Sequence, residues 1–170
     1  MTVDLKAKFQ DQWQHSNLRE HVARLWLQMF GIEAEPTGFG TLNPRTLEGF
    51  HTNPMEKYDF YVPALKVFFE VTGTSWRRFE SARRFKTPVI PTLKAKVDFA
   101  EYFGIAGRVW FIAVAEAQGE VRFFPCSRAK DFPTGHFTQG EGEYYMVPWD
   151  AWWTPGRAMS KILGSVWEEY

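Results

Sequence analysis

The amino-acid sequence predicts an α/β fold in which a small, mixed central sheet is flanked by helices. The chain has 170 residues, of which 45% are hydrophobic and 24% charged, as in a globular protein with room for one domain. Stretches with apolar residues at helical spacing alternate with short stretches in which every second residue is apolar. Such an order of helices and short strands is typical of mixed α/β folds.

The first elements are a helix and a short strand. Apolar residues recur at helical spacing over residues 17–30, and Gly31 follows them, which predicts a helix that ends there. Asn17 is a candidate N-cap, and Glu20 stands where a capping box places its acid. Residues 32–37 are predicted as a short strand that runs into a glycine-rich turn.

A loop and a hairpin follow. Two Asn-Pro pairs predict a loop over residues 41–57. Residues 58–62 and 65–72 are predicted as two strands joined by a tight turn at Pro63 and Ala64. Because side chains alternate along a strand, one face of the second strand is apolar and the other is mixed.

The rest of the chain continues the alternation. The predicted elements are a helix over 75–85, a strand over 87–93, a helix over 97–103, a hairpin of 108–116 with 120–126, a loop with some extended structure over 127–148 and a helix over 156–168. We divide the chain into an α/β core at 1–130 and a Trp-rich extension at 131–170. Four tryptophans of the extension are expected at a core or subunit interface rather than stacked on bases: Trp149, Trp152, Trp153 and Trp167.

Charge and composition exclude several classes of function. Twenty basic and twenty acidic side chains give a net charge of zero, so binding to a polyanion requires a local basic patch. Neither a membrane span nor a signal peptide is expected, because no long apolar run occurs. The single cysteine, Cys126, favours a reducing, cytoplasmic location. Nucleotide-binding loops of the Walker and Rossmann types are absent from the sequence.

Two acids in the predicted hairpin are candidates for a metal site. With a two-residue turn, Asp59 lies opposite Phe68, and Glu70 is its diagonal neighbour on the same face. Two facing carboxylates raise each other's pKa, and a hard divalent cation relieves that repulsion. On spacing alone, an acid in a turn at Asp59 and a solvated Glu70 explain the pattern equally well.

These acids stand in a pattern that resembles the PD-(D/E)xK nuclease superfamily: Asp59, an eleven-residue step and the sequence FEVTG at 69–73. The layout over residues 17–126 is similar to that of archaeal Holliday-junction resolvases. The resemblance implies a restriction-endonuclease-like core and Mg²⁺-dependent hydrolysis of DNA, including branched DNA, with Mn²⁺ as a substitute metal. It also implies a homodimer, since two strands must be cut.

The resemblance also implies roles for individual residues. Asp59, Glu70 and the backbone carbonyl of Val71 would hold the metal, and Glu20 would assist the metal or its water. A capping box explains Glu20 equally well.

The lysine of the family's pattern is replaced by Thr72, which cannot steady a negative charge. In some members of the superfamily this lysine comes from a neighbouring element. Lys94 and Lys96, just after the strand predicted at 87–93, are the candidates to replace it. Lys66 shares the face of Glu70 but lies two pleats away.

A basic stretch follows the predicted hairpin and is a candidate DNA-binding surface. Its residues are Arg77, Arg78, Arg83, Arg84 and Lys86. Contacts of this kind with phosphates position a duplex without reading its sequence. The alternative is a solvated helix face.

Three functions therefore remain open. The first is a metal-dependent DNA endonuclease. The second, favoured by Thr72, is a catalytically inactive module of the same fold that binds DNA or takes part in assembly. The third is a protein-interaction domain built around the Trp-rich end. The sequence does not distinguish DNA from RNA.

Overall fold

The structure is a computed structural model and describes residues 18–37, 54–74, 89–115, 120–136 and 142–164. In this part of the chain the helices are α1 (18–29), α2 (Pro54–Lys57), α3 (Lys94–Tyr102) and α4 (Pro155–Leu163). The strands are β1 (Glu35–Pro36), β2 (Phe60–Val62), β3 (Val67–Thr74), β4 (Val89–Leu93), β5 (Val109–Ala115), β6 (Glu120–Pro125), β7 (Thr134–His136) and β8 (Glu143–Pro148). Short 3₁₀ helices cover Ala106–Arg108, Cys126–Asp131 and Trp149–Ala151.

The larger sheet has five strands in the order β1-β2-β3-β5-β6. β3 and β5 are parallel, and the other neighbours are antiparallel, so the sheet is mixed. All residues of β5 are buried, as expected of a strand that is covered on both faces. The prediction of an α/β fold with a mixed central sheet is confirmed.

Different elements cover the two faces of this sheet. On one face α1 and α4 pack against the strands, and Leu27, Phe69 and Met159 belong to one apolar cluster. On the other face Phe68 and Phe111 pack against α3 and a second sheet. The second sheet has three antiparallel strands in the order β4-β8-β7. The first residues of β3, 67–69, are therefore buried on both faces, and the site described below lies at the half-buried residues that follow them.

Glycines end both helices that contribute to the site. Gly31 has a φ of 75° and Gly104 a φ of 67°, a conformation that glycine adopts without steric cost. Each is followed by an amide that bonds back to the last turn, from Ile32 to the Leu27 carbonyl and from Ile105 to the Ala100 carbonyl, both at 2.9 Å. This is the Schellman motif. It confirms that the first and third predicted helices end at these glycines.

The second sheet confirms extended structure within residues 127–148, which were predicted as a loop with some extended structure, and shows that part of this range is regular. A 3₁₀ helix and strands β7 and β8 lie in this range, and β8 pairs with β4 along its length. Tyr145 and Val147 of β8 are buried on alternate positions, a pattern typical of a strand with one covered face. The predicted loop over 41–57 also contains a one-turn helix, α2.

Three of the four C-terminal tryptophans are buried within the chain itself. Trp149, Trp152 and Trp153 are at most 9% exposed, and Trp167 lies outside the described residues. They therefore do not offer rings for stacking, while the domain boundary at residue 130 and the homodimer stay predictions. No helix in the described part of the chain is long and apolar enough to cross a bilayer.

Candidate active site

The hairpin of β2 and β3 brings two acids face to face. Phe60 pairs with Phe69 and Val62 pairs with Val67, so the strands are joined by a four-residue loop over 63–66. The predicted two-residue turn is wrong. The register moves by two residues, which keeps every side chain on its predicted face. Continued by one position, it places Asp59 directly opposite Glu70 rather than on its diagonal.

The backbone around Asp59 is anchored from both sides. The amide of Val71 donates a 2.8 Å hydrogen bond to Oδ2 of Asp59. On the other side Thr37, at the end of β1, donates its amide to the Asp59 carbonyl and its hydroxyl to the Tyr58 carbonyl, both at 2.8 Å. These bonds fix where the Asp59 carboxyl points.

Glu20 reaches the same place from α1. Ala23 and Leu27 are fully buried and hold α1 against the sheet, so Glu20, one turn earlier than Ala23, projects towards Asp59. The two carboxyl groups share a hydrogen bond. Asn17 lies outside the described residues, so the capping-box explanation stays a prediction.

Lys96 joins the cluster from α3. Its Nζ lies 3.1 Å from Oε1 of Glu70, with side-chain exposures of 18% and 16%. The same ammonium donates to the carbonyl of Lys57. The buried Tyr58 hydroxyl donates a 2.8 Å hydrogen bond to the carbonyl of Lys96, which holds the first turn of α3 against β2. We call Glu20, Asp59, Glu70 and Lys96 the carboxylate cluster.

Burial and mutual repulsion keep protons on the acids of this cluster. Burial, then the charge of Asp59, raises the pKa of Glu70 to about 8. Burial, the charge of Asp59 and their shared hydrogen bond raise the pKa of Glu20 to about 7. Burial also raises the pKa of Asp59, although Lys96 and the Val71 amide oppose the shift. When all three acids are ionised, the cluster therefore has more negative charge than Lys96 compensates.

One oxygen of the cluster meets no hydrogen-bond donor in the described part of the chain. It is the buried Oε2 of Glu70, whose carboxyl group otherwise interacts with Asp59 and Lys96. Leaving such an atom unsatisfied costs about 1–3 kcal/mol. If all three acids were ionised, the cluster with Lys96 would carry a charge of −2, equal and opposite to that of one divalent cation.

The residues present fit a magnesium-type ion. Carboxylate oxygens are its preferred protein ligands, and it usually keeps several waters. Among the described residues no three His, Cys, Asp or Glu side chains are arranged to hold a metal ion. An ion here would therefore need water molecules beside the few ligands that the protein offers. The N–H of Val71 donates to Asp59, and the C=O of a strand residue lies on the same edge as its N–H, so the Val71 carbonyl lies on the edge of β3 that faces β2.

The structure separates the two candidate lysines. Lys94 forms an exposed pair with Asp98 at 2.6 Å and is not among the charges that act on the cluster. Lys66 is exposed in the hairpin loop, with a φ of 54°. Thr72 lies in β3 beyond Glu70, opposite Ala113.

Two further features of the sequence analysis are the basic stretch and the single cysteine. The predicted basic surface at Arg77, Arg78, Arg83, Arg84 and Lys86 lies outside the described residues and stays a prediction. Burial raises the pKa of the Cys126 thiol to about 12, so the thiolate form that a nucleophile needs is disfavoured.

Sequence reasoning missed two residues that border the site. Thr37 anchors the Asp59 backbone from a strand far away in sequence, and no local signal indicates it. Lys57 lies next to Tyr58. Burial and the charge of Lys96 lower the pKa of its ammonium, and the charge of Glu70 opposes this shift. Its position directly before the predicted strand of Asp59 was the signal that could have found it.

Comparison with known proteins gives a family and a fold. The model of a family described as viral/archaeal nuclease matches residues 14–154. The uncharacterized protein D-244 of Sulfolobus spindle-shape virus 1 is 28% identical over 137 residues, which cover 72% of this chain and 56% of that protein. The chain thus spans little more than half the length of this relative.

A solved structure shares the fold over nearly the whole chain. It is D212, a nuclease from a fusselovirus, with a TM-score of 0.53 and 14% identity. The alignment covers 99% of this chain and 98% of that one. At this identity the likeness shows the fold alone.

Proposed function

Since this chain belongs to the viral/archaeal nuclease family, we propose that it is a metal-dependent nuclease that hydrolyses phosphodiester bonds of DNA at the carboxylate cluster. The observation that carries the proposal is a group of three half-buried acids with raised pKa values, held together beside Lys96. One of them has a buried oxygen that meets no hydrogen-bond donor among the described residues. Such an arrangement would not stabilise the fold, because like charges placed directly opposite each other destabilise a sheet.

The metal would be held by Asp59, Glu70 and the carbonyl of Val71, and Mg²⁺ is the proposed ion, with Mn²⁺ as its substitute. When bound, such an ion lowers the pKa of a water and neutralises charge on a phosphate. The exposures of 16% for Glu70 and 18% for Lys96 leave the cluster within reach of a phosphate at the surface.

Lys96 is proposed to take the place of the lysine that Thr72 replaces. Its ammonium contacts Glu70 at 3.1 Å, where a cation stabilises the carboxylate and any negative charge that develops on a phosphate beside it. Lys94 is not proposed for this role, because it pairs with Asp98 instead.

Glu20 is proposed to act as the general base that accepts a proton from the attacking water. A pKa of about 7 lets a carboxyl group accept or release a proton near neutral pH, as general acid–base catalysis requires. In the proposed reaction a water oxygen attacks phosphorus and gives up a proton to Glu20, the bond from phosphorus to the 3′ oxygen breaks, and that oxygen takes up a proton from solvent. The products are a 3′-hydroxyl and a 5′-phosphate.

Incubation of the purified chain with labelled nucleic acids, with Mg²⁺, with Mn²⁺ or with EDTA, tests the proposal. The substrates are linear duplex DNA, a four-way junction and RNA of matched sequence. We expect metal-dependent cleavage of DNA that Asp59→Asn and Glu70→Gln each remove, while Glu33→Gln, at an exposed acid, cleaves normally.

Cleavage that survives Asp59→Asn and Glu70→Gln would overturn the assignment. Salt-sensitive DNA binding without cleavage by the native chain would instead favour the inactive binding module, for which the observation is Thr72 in the lysine position. The four-way junction reports whether branched DNA is a substrate. Light scattering of the same sample tests the homodimer.

A further inference from the structure

Two exposed aromatic rings stand at the far end of α3. Tyr102 is 85% exposed and Phe103 is 40% exposed. The ring of Phe103 lies 4.6 Å from that of Phe99, and the ring of Tyr102 lies 5.2 Å from Phe103 in an edge-to-face arrangement. We call Phe99, Tyr102 and Phe103 the aromatic step.

The aromatic step has a fixed position. α3 ends in the Schellman motif at Gly104, which determines where Phe103 leaves the helix. Phe99 is half-buried and packs edge-on against the buried Tyr58, with ring centroids 6.0 Å apart. A prearranged surface loses little side-chain entropy when a ligand covers it.

The aromatic step is continuous with the carboxylate cluster. Lys96, Phe99 and Phe103 are spaced i, i+3 and i+7, so they share one stripe along α3. The distance along the helix axis from Lys96 to Phe103 is about 10 Å, at 1.5 Å per residue. This is the reach of one or two nucleotides from a phosphate at the cluster.

The charges beside the aromatic step suit a nucleic acid. The ammonium of Lys57 lies 5.3 Å from the centroid of Phe99. Within the described part of the chain it has no carboxylate at ion-pair distance. The acids of α3 are compensated, since Asp98 pairs with Lys94 and Glu101 pairs with Lys130.

We propose that the aromatic step binds an unpaired base of the DNA strand whose phosphate lies at the carboxylate cluster, with Lys57 on a neighbouring phosphate. The inference rests on the proposed function and narrows its substrate class. A base within a duplex has both ring faces covered by its neighbours, whereas an unpaired base has a free face for an aromatic side chain. The preferred substrates are therefore single strands, forks and flaps with unpaired nucleotides near the cut.

Binding in EDTA tests this inference without requiring cleavage. Fluorescence anisotropy compares a forked duplex that has single-stranded tails with a blunt duplex of the same paired sequence. A stacked base contributes about 1–3 kcal/mol. At the lower part of that range, Tyr102→Ala is expected to weaken binding of the fork about 5- to 30-fold while binding of the blunt duplex stays unchanged.

Two further variants make the test specific. Tyr102→Trp keeps a ring and should bind the fork as the native chain does. Met29→Ala removes an exposed apolar side chain from α1, 75% exposed, and should leave both affinities unchanged. A 2-aminopurine placed at the unpaired position should be quenched by the native chain and much less by Tyr102→Ala.

Equal affinity of native and Tyr102→Ala chains for the fork would overturn the inference, as would a native chain that does not prefer the fork to the blunt duplex. A dimer of the native chain that Tyr102→Ala dissociates would assign the aromatic step to a subunit interface and overturn it too. The proposed function fails on different evidence, namely absence of metal-dependent cleavage. The two failures are therefore distinguishable.

Discussion

Two lysines of the same helical turn have opposite surroundings. Lys94 pairs with Asp98 at 2.6 Å on the surface, where the side chains are 33% and 54% exposed. Lys96 pairs with Glu70 at 3.1 Å, where they are 18% and 16% exposed, and it faces two further acids. The shorter bond is the less consequential one, because solvent screens it and its partners lose little when separated. Burial and the surplus of acids around it, not distance, distinguish Lys96, the lysine proposed to act in catalysis, from Lys94.

The largest expected effect separates these lysines by activity. Lys96→Met should lower the rate of DNA cleavage at least 100-fold, about 2.7 kcal/mol of lost stabilisation at 25 °C, because no other described cation contacts Glu70. Lys94→Met should leave the rate within about twofold of native, the range expected of a screened surface pair. Single-turnover cleavage at saturating Mg²⁺ measures both. Equal losses in the two variants would contradict the distinction.

The second expected effect concerns stability and pH. The pKa values of about 8 for Glu70 and about 7 for Glu20 exceed the usual 4.5, so protonation stabilises the folded state. That stabilisation is complete below about pH 4.5 and is lost as the pH rises through 7 to 8. Thermal unfolding in EDTA should therefore show the native chain losing a few kcal/mol relative to Glu70→Gln between pH 5 and pH 9.

A constant difference between native and Glu70→Gln chains across this pH range would contradict the raised pKa values. Asp98→Asn is the control variant, because it makes the same change from carboxyl to amide at an exposed residue outside the carboxylate cluster.

The alternation of β3 is the reason that Asp59 and Glu70 could be paired from the sequence. The loop at 63–66 is two residues longer than the predicted turn, and a change of two preserves which side chains share a face. The sequence does not show which of Lys94 and Lys96 reaches the carboxylate cluster. It depends on where α3 begins and how the helix is rotated. The hydrogen bond from the Tyr58 hydroxyl to the Lys96 carbonyl, which holds this end of the helix, joins residues that are 38 positions apart.

Long-range contacts explain the other omissions. Thr37 reaches the Asp59 backbone across the sheet, and β8 becomes a strand because β4 pairs with it. Neither partner is adjacent in sequence, so periodicity alone does not reveal the pairing. The tryptophans show the same limit, because composition indicates aromatic surface without saying which rings are covered.

The third expected effect concerns Thr37, whose hydrogen bonds hold the backbone around Asp59. Thr37→Val removes the hydroxyl that bonds to the Tyr58 carbonyl and should lower the free energy of unfolding by about 1 kcal/mol. Cleavage should fall as well, since the Asp59 carboxyl loses a constraint. Thr134→Val, at an exposed residue of β7, is the matched control for urea unfolding. A Thr37→Val chain as stable as native would count against the anchor.

The smallest expected effect concerns the exposed ion pair of Lys94 and Asp98. Asp98→Ala should change the free energy of unfolding by no more than about 0.5 kcal/mol, and added salt should erase the difference. Urea unfolding at low and high salt measures it. A loss above about 1 kcal/mol would mean that the Lys94 pair contributes more than its exposure allows.

Binding of Mn²⁺ tests the central claim most directly, because it depends on the carboxylate cluster and not on turnover. The signal of free Mn²⁺ in electron paramagnetic resonance falls as the ion binds to protein. We predict saturable binding to the native chain and to Lys94→Met, and its loss in both Asp59→Asn and Glu70→Gln. Binding that is the same in the native chain and in these two carboxamide variants would contradict the account.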